Sequence, residues 1–179
     1  GTRGQDWHRF QTPHFDTSFR STVYDNRGIG QTTTTTEMPW QIEDFAADLA
    51  ELVRGACNGP VAFVGSSLGS AIIQQVCIDA PDLLKCAVVM GTGASSTSWG
   101  WDYQAAEIEF RQRGGRLDGM MGVTHYASML YPARALGDRV LWPRLKDLLL
   151  EWIDSGENEE SLIPQWDTSL RYDQRAALP

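Results

Sequence analysis

The spacing of hydrophobic residues changes several times along the chain, and each change predicts an element. Val61, Ala62, Phe63 and Val64 form a short continuous apolar run behind Pro60, with the length and β-branched content of a buried parallel strand. After Gly69 the apolar residues Ala71, Ile72, Val76, Ile78 and Ala80 return in a helical pattern, which Pro81 ends because it cannot continue a helix interior. Upstream, Ile42, Phe45, Ala46, Leu49, Leu52 and Val53 recur every three or four residues behind Pro39, predicting a helix that stops within 55–59. Glu43 and Asp44 complement its positive end. Residues 86–90 read as a further buried strand closed by Gly91, Thr92 and Gly93, and residues 19–25, with Val23 and Tyr24, as an earlier one ending in the glycine-rich turn 25–30. Strand alternating with helix predicts an α/β fold, a parallel sheet with flanking helices.

Two stretches depart from that alternation. The five threonines Thr32 to Thr36 show no apolar alternation and are placed on a surface loop. From Ala94 onward the chain is rich in Trp, Met and Gly, with helices predicted over 103–113, 119–130 and 141–153 and no strand pattern, so it reads as an all-helical insertion. Residues 155–160 form a solvated connector, and the remainder is short, polar and helical at best. At the other end, residues 7–19, interrupted by Pro13, hold a short helix or two.

Composition narrows the possible partners. The 179 residues, 42% hydrophobic and 21% charged, suit one globular domain with room for a small subdomain. A formal net charge of -8, with no Lys/Arg-rich cluster, argues against a nucleic-acid or anionic-membrane surface. No run approaches membrane-spanning length and no basic-then-apolar leader opens the chain, so a cytoplasmic protein is expected. Cys57, Cys77 and Cys86 have neither metal-ligand spacing nor an even count and are expected to be core thiols. No metal or cofactor is implied.

The candidate chemistry lies between the 61–64 run and the helix after it, in Gly65-Ser66-Ser67-Leu68-Gly69. A strand, a sharp turn and a helix around Gly-x-Ser-x-Gly lift the serine hydroxyl above the sheet edge. Small residues two positions to either side are expected to avoid collision with neighbouring backbone. The free N–H groups and positive dipole end of the following helix face the same spot, so the Leu68 amide is placed to stabilise an oxyanion formed when Ser67 attacks a carbonyl.

The turn Tyr24-Asp25-Asn26-Arg27-Gly28-Ile29-Gly30, the helix segment from Ile42 to Leu49 and the Gly65 to Gly69 elbow with its following strand together resemble the α/β-hydrolase superfamily, in its capped esterase, lactonase and carbon-carbon hydrolase branch. The resemblance implies a partial α/β-hydrolase core over 1–93, a helical cap over 94–172 and the start of a return to the core over 173–179. It implies Ser67 as nucleophile, with Leu68 and, from the loop at the start of the chain, Thr2 as oxyanion donors. The expected activity is cleavage of a carboxylic ester, lactone or thioester of a small apolar substrate through an acyl-enzyme on Ser67. The family orders its triad as serine, then an acid after the cap, then a histidine. Neither partner is found at such a position here, and the family strand lying between those around Tyr24 and Val61 is missing too. The expectation is therefore a core completed by missing segments or a complementing chain. The alternative is a binding protein that keeps the elbow without catalysis, or an inactive fragment of such an enzyme.

Other residues have candidate roles. Trp99, Trp101, Tyr103, Met120, Met121 and His125 are candidates for a substrate pocket, with plain packing as the competing role. His8 and His14 are assigned to a polar helical surface. Asp25 and Arg27 are expected to brace their own turn, and Asp102 and Asp118 to cap helices.

Overall fold

The computed structural model describes residues 3–96, 98–154 and 159–178, without the side chains of 159–161. Contacts divide the chain into two compact units, Gly1–Ile108 with Glu160–Pro179, and Glu109–Glu159.

The first unit is built on strands β1 (Val61–Ser66) and β2 (Leu84–Met90), which pair in parallel from Ala62 opposite Cys86 to Ser66 opposite Met90. A 3-10 turn (Gly4–Arg9) and the short helix α1 (Thr12–Phe15) begin the chain, as the 7–19 stretch predicted. Helix α2 (Ile42–Ala56) starts where the Asp44 carboxylate accepts the Gln41 amide at 2.8 Å and the Asp44 amide donates to the Gln41 carbonyl at 3.1 Å. Its apolar stripe packs on α3 (Leu68–Asp79), and the core between them and β1 includes Phe45, Ile72, Val76 and Phe63. Phe45, Ile72 and Val76 are each 1% exposed, and burial of each such side chain contributes about 1.5–3 kcal/mol. The threonine run is irregular, as expected.

Three expectations about this unit need correction. Residues 20–26 form no strand, because a strand requires a ladder partner, and β1 is hydrogen-bonded only to β2 among the described residues. β2 is not buried: α3 packs against it, yet Val88, Val89 and Met90 are 50%, 44% and 43% exposed, and Cys86 is exposed rather than a core thiol. Finally, the remainder, read as short, polar and helical at best, forms a longer helix than expected, α8 (Glu159–Arg171), 13 residues long with Pro164 inside it. α8 is tied to the segment before α2: the Thr168 hydroxyl and Arg171 guanidinium each donate to the Trp40 carbonyl at 2.9 Å.

Helix α4 (Ser98–Gln112) runs from the first unit into the second. The second unit also holds α5 (Gly119–Leu130), α6 (Ala133–Leu136) and α7 (Leu141–Asp154). Val123, Tyr126, Ala127 and Leu149 form its core, with the Trp152 ring edge-on to Tyr126 at 4.8 Å. The Tyr126 hydroxyl accepts a hydrogen bond from Arg111 at 2.5 Å. Asp118 stands at the N-cap position of α5 without a side-chain capping bond, and Asp102 lies inside α4 rather than at its end.

Two phenols give the fold an alkaline limit. Burial, then the Asp48 carboxylate, pushes Tyr24 well above the ordinary phenol value, and burial, then Glu107, pushes Tyr103 up to about 12. A raised folded-state value favours the protonated phenol in the fold. The resulting stability is fully present below pH 10, where unfolded tyrosine titrates, and is lost as the pH rises through the folded values. Melting temperature is therefore expected to fall from pH 10 upward, with a shallower slope in Tyr24→Phe, as read by circular dichroism.

Candidate active site

The Gly65 to Gly69 stretch forms the predicted turn. β1 ends at Ser66, Ser67 takes φ 53° and ψ -123°, and α3 begins at Leu68. Positive φ is uncommon for a residue with a side chain, and this ψ lies outside the small left-handed region where such residues are tolerated. The surrounding hydrogen bonds hold the conformation: the Ser67 amide donates to Met90 O at 2.9 Å, and Ser67 O accepts from the Ser70 and Ala71 amides at 2.9 and 3.3 Å. Ser67 is exposed, and its hydroxyl makes no hydrogen bond among the described residues. Leu68 is the first residue of α3, so its N–H has no acceptor within the helix.

The two glycines of the motif prove unequal. A Cβ on Gly65 would lie 2.5 Å from Ile73 Cδ1 and 2.8 Å from the carbonyl carbon and oxygen of Gly69. A Cβ on Gly69 meets nothing within 4 Å among the described residues, against the expectation that a side chain at either position collides.

Ser70 was missed by the sequence analysis. It is fully buried, accepts the Met90 amide at 2.8 Å, and lies 2.7 Å from Gly65 O and 2.9 Å from Met90 O. The available signal was a serine set among Leu68, Ala71, Ile72 and Ile73, because a hydroxyl buried with apolar neighbours must find partners.

A second missed group is at the C-terminal side of α8. The Tyr172 hydroxyl donates to Gly93 O at 3.0 Å and lies 2.9 Å from the Thr92 hydroxyl, while the Gln174 amide donates to Ala94 O at 2.8 Å. Gln174 Nε2 also donates to Ala71 O and Gln75 Oε1, each at 3.0 Å. These bonds fasten the loop after β2 to the C-terminal segment. Tyr172→Phe is expected to cost about 1 kcal/mol through loss of its hydroxyl bonds, measured as a shift in the urea midpoint.

The remaining predicted residues fall in different places. Thr2 lies outside the described residues. Trp99, Trp101 and Tyr103 belong to the first unit; Trp99 is 69% exposed and its ring lies 5.0 Å from that of Tyr103. Met120, Met121 and His125 belong to the second, where the half-buried His125 meets the Tyr126 ring edge-on at 5.2 Å. His8 and His14 are exposed, and His8 Nδ1 is 2.8 Å from the Thr12 hydroxyl.

Asp25 and Arg27 reach well beyond their turn, against expectation. Asp25 Oδ1 accepts the Gly4 amide at 2.6 Å, tying the loop at the start of the chain to the turn. Buried Arg27 makes a two-pronged pair with Asp48 of α2, both bonds 2.8 Å, and donates to Asp44 O. Its guanidinium stands 5.4 Å from the centre of the Phe45 ring. Asp48 is the partner that fixes this geometry, and the sequence analysis did not single it out.

A strained, exposed serine thus stands between the end of β1 and the start of α3. A sequence model described as the alpha/beta hydrolase fold matches residues 2–124, and the chain belongs to that family. It is similar to BpoC of Mycobacterium tuberculosis, which carries the name of a non-heme bromoperoxidase, at 33% identity over 118 residues, 65% of this chain and 44% of BpoC. The crystal structure of that protein aligns with a TM-score of 0.84 and 26% identity, covering 98% of this chain and 65% of that one. The enol-lactonase from Burkholderia xenovorans LB400 aligns with a TM-score of 0.70 and 18% identity over 98% of this chain and 64% of that one, a likeness of fold alone. The chain thus spans only part of BpoC, 44% of it in the sequence alignment and 65% in the structural one. Among the described residues no helix is long and apolar enough to cross a membrane.

Proposed function

We propose that the protein is a serine hydrolase that cleaves a carboxylic ester, lactone or thioester of a small apolar acid through an acyl-enzyme on Ser67. The observation that carries this is Ser67 itself: exposed, held at φ 53°, with no hydrogen bond on its hydroxyl among the described residues and a helix starting at the next residue. A strained conformation held by its neighbours at a turn is the kind that active sites retain. Ser67 attacks the carbonyl, the Leu68 N–H binds the oxyanion together with a donor at Thr2, and water releases the acid. Residues 94–172 act as the helical cap that selects the substrate.

The general base and its acid are assigned to core segments beyond these residues or to a complementing chain. The hydrogen-bonding edge of β1 opposite β2 and the exposed residues of β2 support that assignment, since both are features a fuller sheet would cover. The test is a fluorophosphonate incubation of the product of the full gene, read by intact mass. One adduct per chain, absent in Ser67→Ala, is the expected result. An unlabelled wild type overturns the proposal and favours a binding protein that keeps the elbow without catalysis.

A further inference from the structure

The hydrogen bonds around the elbow form a chain with a direction. The Ser67 amide donates to Met90 O at 2.9 Å, the Met90 amide donates to Ser70 Oγ at 2.8 Å, and Ser70 Oγ has Gly65 O at 2.7 Å and Met90 O at 2.9 Å. A hydroxyl has one proton to give. Met90 O already receives the Ser67 amide and Gly65 O is nearer, so the Ser70 proton goes to Gly65. The relay thus links Gly65 near the end of β1, Ser67 of the turn, Met90 at the end of β2 and Ser70 in the first turn of α3.

The relay answers a need created by the elbow. Ser66 opposite Met90 is the last pair of the parallel ladder, and at Ser67 the chain turns away from β2. The terminal Met90 amide therefore finds its acceptor in a side chain of the helix that the turn generates. The Ser70 amide also donates to Ser67 O, so both backbone groups of Ser67 are fixed by bonds that Ser70 makes or stands beside.

We propose that Ser70 is a positioning residue for the reaction, setting the directions of the Ser67 hydroxyl and the Leu68 N–H by locking β2 to the elbow. The proposal rests on Ser67 as nucleophile and gives Ser70 no contact with the substrate. Positioning errors of this kind, remote from the reacting atoms, cost up to about 100-fold in rate.

The test uses the full-length protein in two measurements. In Ser70→Ala, amide exchange at Met90 and Ser67, followed by NMR, is expected to accelerate at least about tenfold as the relay opens. The fluorophosphonate rate constant at saturation is expected to fall between about 10- and 100-fold with an unchanged half-saturation concentration, and Ser70→Cys, which keeps a weak donor and acceptor, to recover part of it. Ile72→Val, in the same helix but outside the relay, is expected to lower the melting temperature and leave labelling unchanged. Unaltered exchange at Met90 and Ser67 overturns the relay, and a Ser70→Ala saturation rate close to wild type overturns the positioning role. If exchange accelerates but the wild type itself takes no label, the relay stands as architecture. Ser67 as nucleophile then fails, and the catalytic role of Ser70 with it.

Discussion

Ser67→Gly is expected to abolish fluorophosphonate labelling and ester cleavage while raising the melting temperature. Ser67→Ala is expected to abolish both activities without that rise. Loss of the nucleophile in a complete serine-hydrolase assembly lowers turnover on the order of 10⁶-fold. The stability effect has a separate origin. At φ 53° and ψ -123° the Ser67 backbone is strained for any residue with a Cβ, by about 1–3 kcal/mol. Alanine retains the Cβ and keeps the strain, whereas glycine reaches positive φ freely, at the expense of a more flexible unfolded chain. A net gain of about 1 kcal/mol remains, or about 2–4 °C in a chain of this size. Paired melting curves for the two variants provide the check. Equal melting temperatures would mean that the turn relaxes around the serine, which would remove strain from the case for Ser67 as nucleophile.

What could be read from the sequence depended on how local the determining physics was. The strand and helix around Ser67 and the helix α2 follow from contiguous periodicity, with a proline or capping residues at their ends, and all three formed. The strand expected around Val23 and Tyr24 did not, although its residue types suit a strand, because strands are completed by neighbours and β1 has only β2 beside it among the described residues. β2 formed with its bounds close to those expected, yet it is exposed, since a continuous apolar run specifies suitability for burial and leaves open what will cover it. At the site the serine was legible from a five-residue pattern. The bonds that hold it were not, because Ser70 to Met90 and Tyr172 to Gly93 join positions 20 and 79 residues apart. Arg27 shows the same limit: its turn is local, but its pairing with Asp48 crosses 21 residues.

Gly65→Ala and Gly69→Ala are expected to move stability in opposite directions, although the motif treats the two glycines alike. The Cβ added at position 65 would stand 2.8 Å from the carbonyl carbon of Gly69, which is backbone and cannot rotate aside, as well as 2.5 Å from the end of Ile73. Relief requires α3 to lift from β1, loosening the Ser70 bond to Gly65 O and the packing of buried Ile72 and Ile73. Overpacking of this kind costs about 1–3 kcal/mol, and contact with backbone puts the expected value at the upper end. Position 69 lies in the first turn of α3 with open space around its missing Cβ, so alanine there is expected to stabilise by about 0.5–1 kcal/mol through helix propensity. Urea midpoints should therefore separate the two variants by about 2–4 kcal/mol. Labelling should separate them as well: Gly65→Ala displaces the turn that carries Ser67 and slows its reaction. Gly69→Ala, if it reacts at the wild-type rate, shows that space at this position is not needed for attack. A Gly69→Ala variant that folds well but labels slowly would point instead to close approach of the substrate over the start of α3, which only a missing side chain at position 69 would permit.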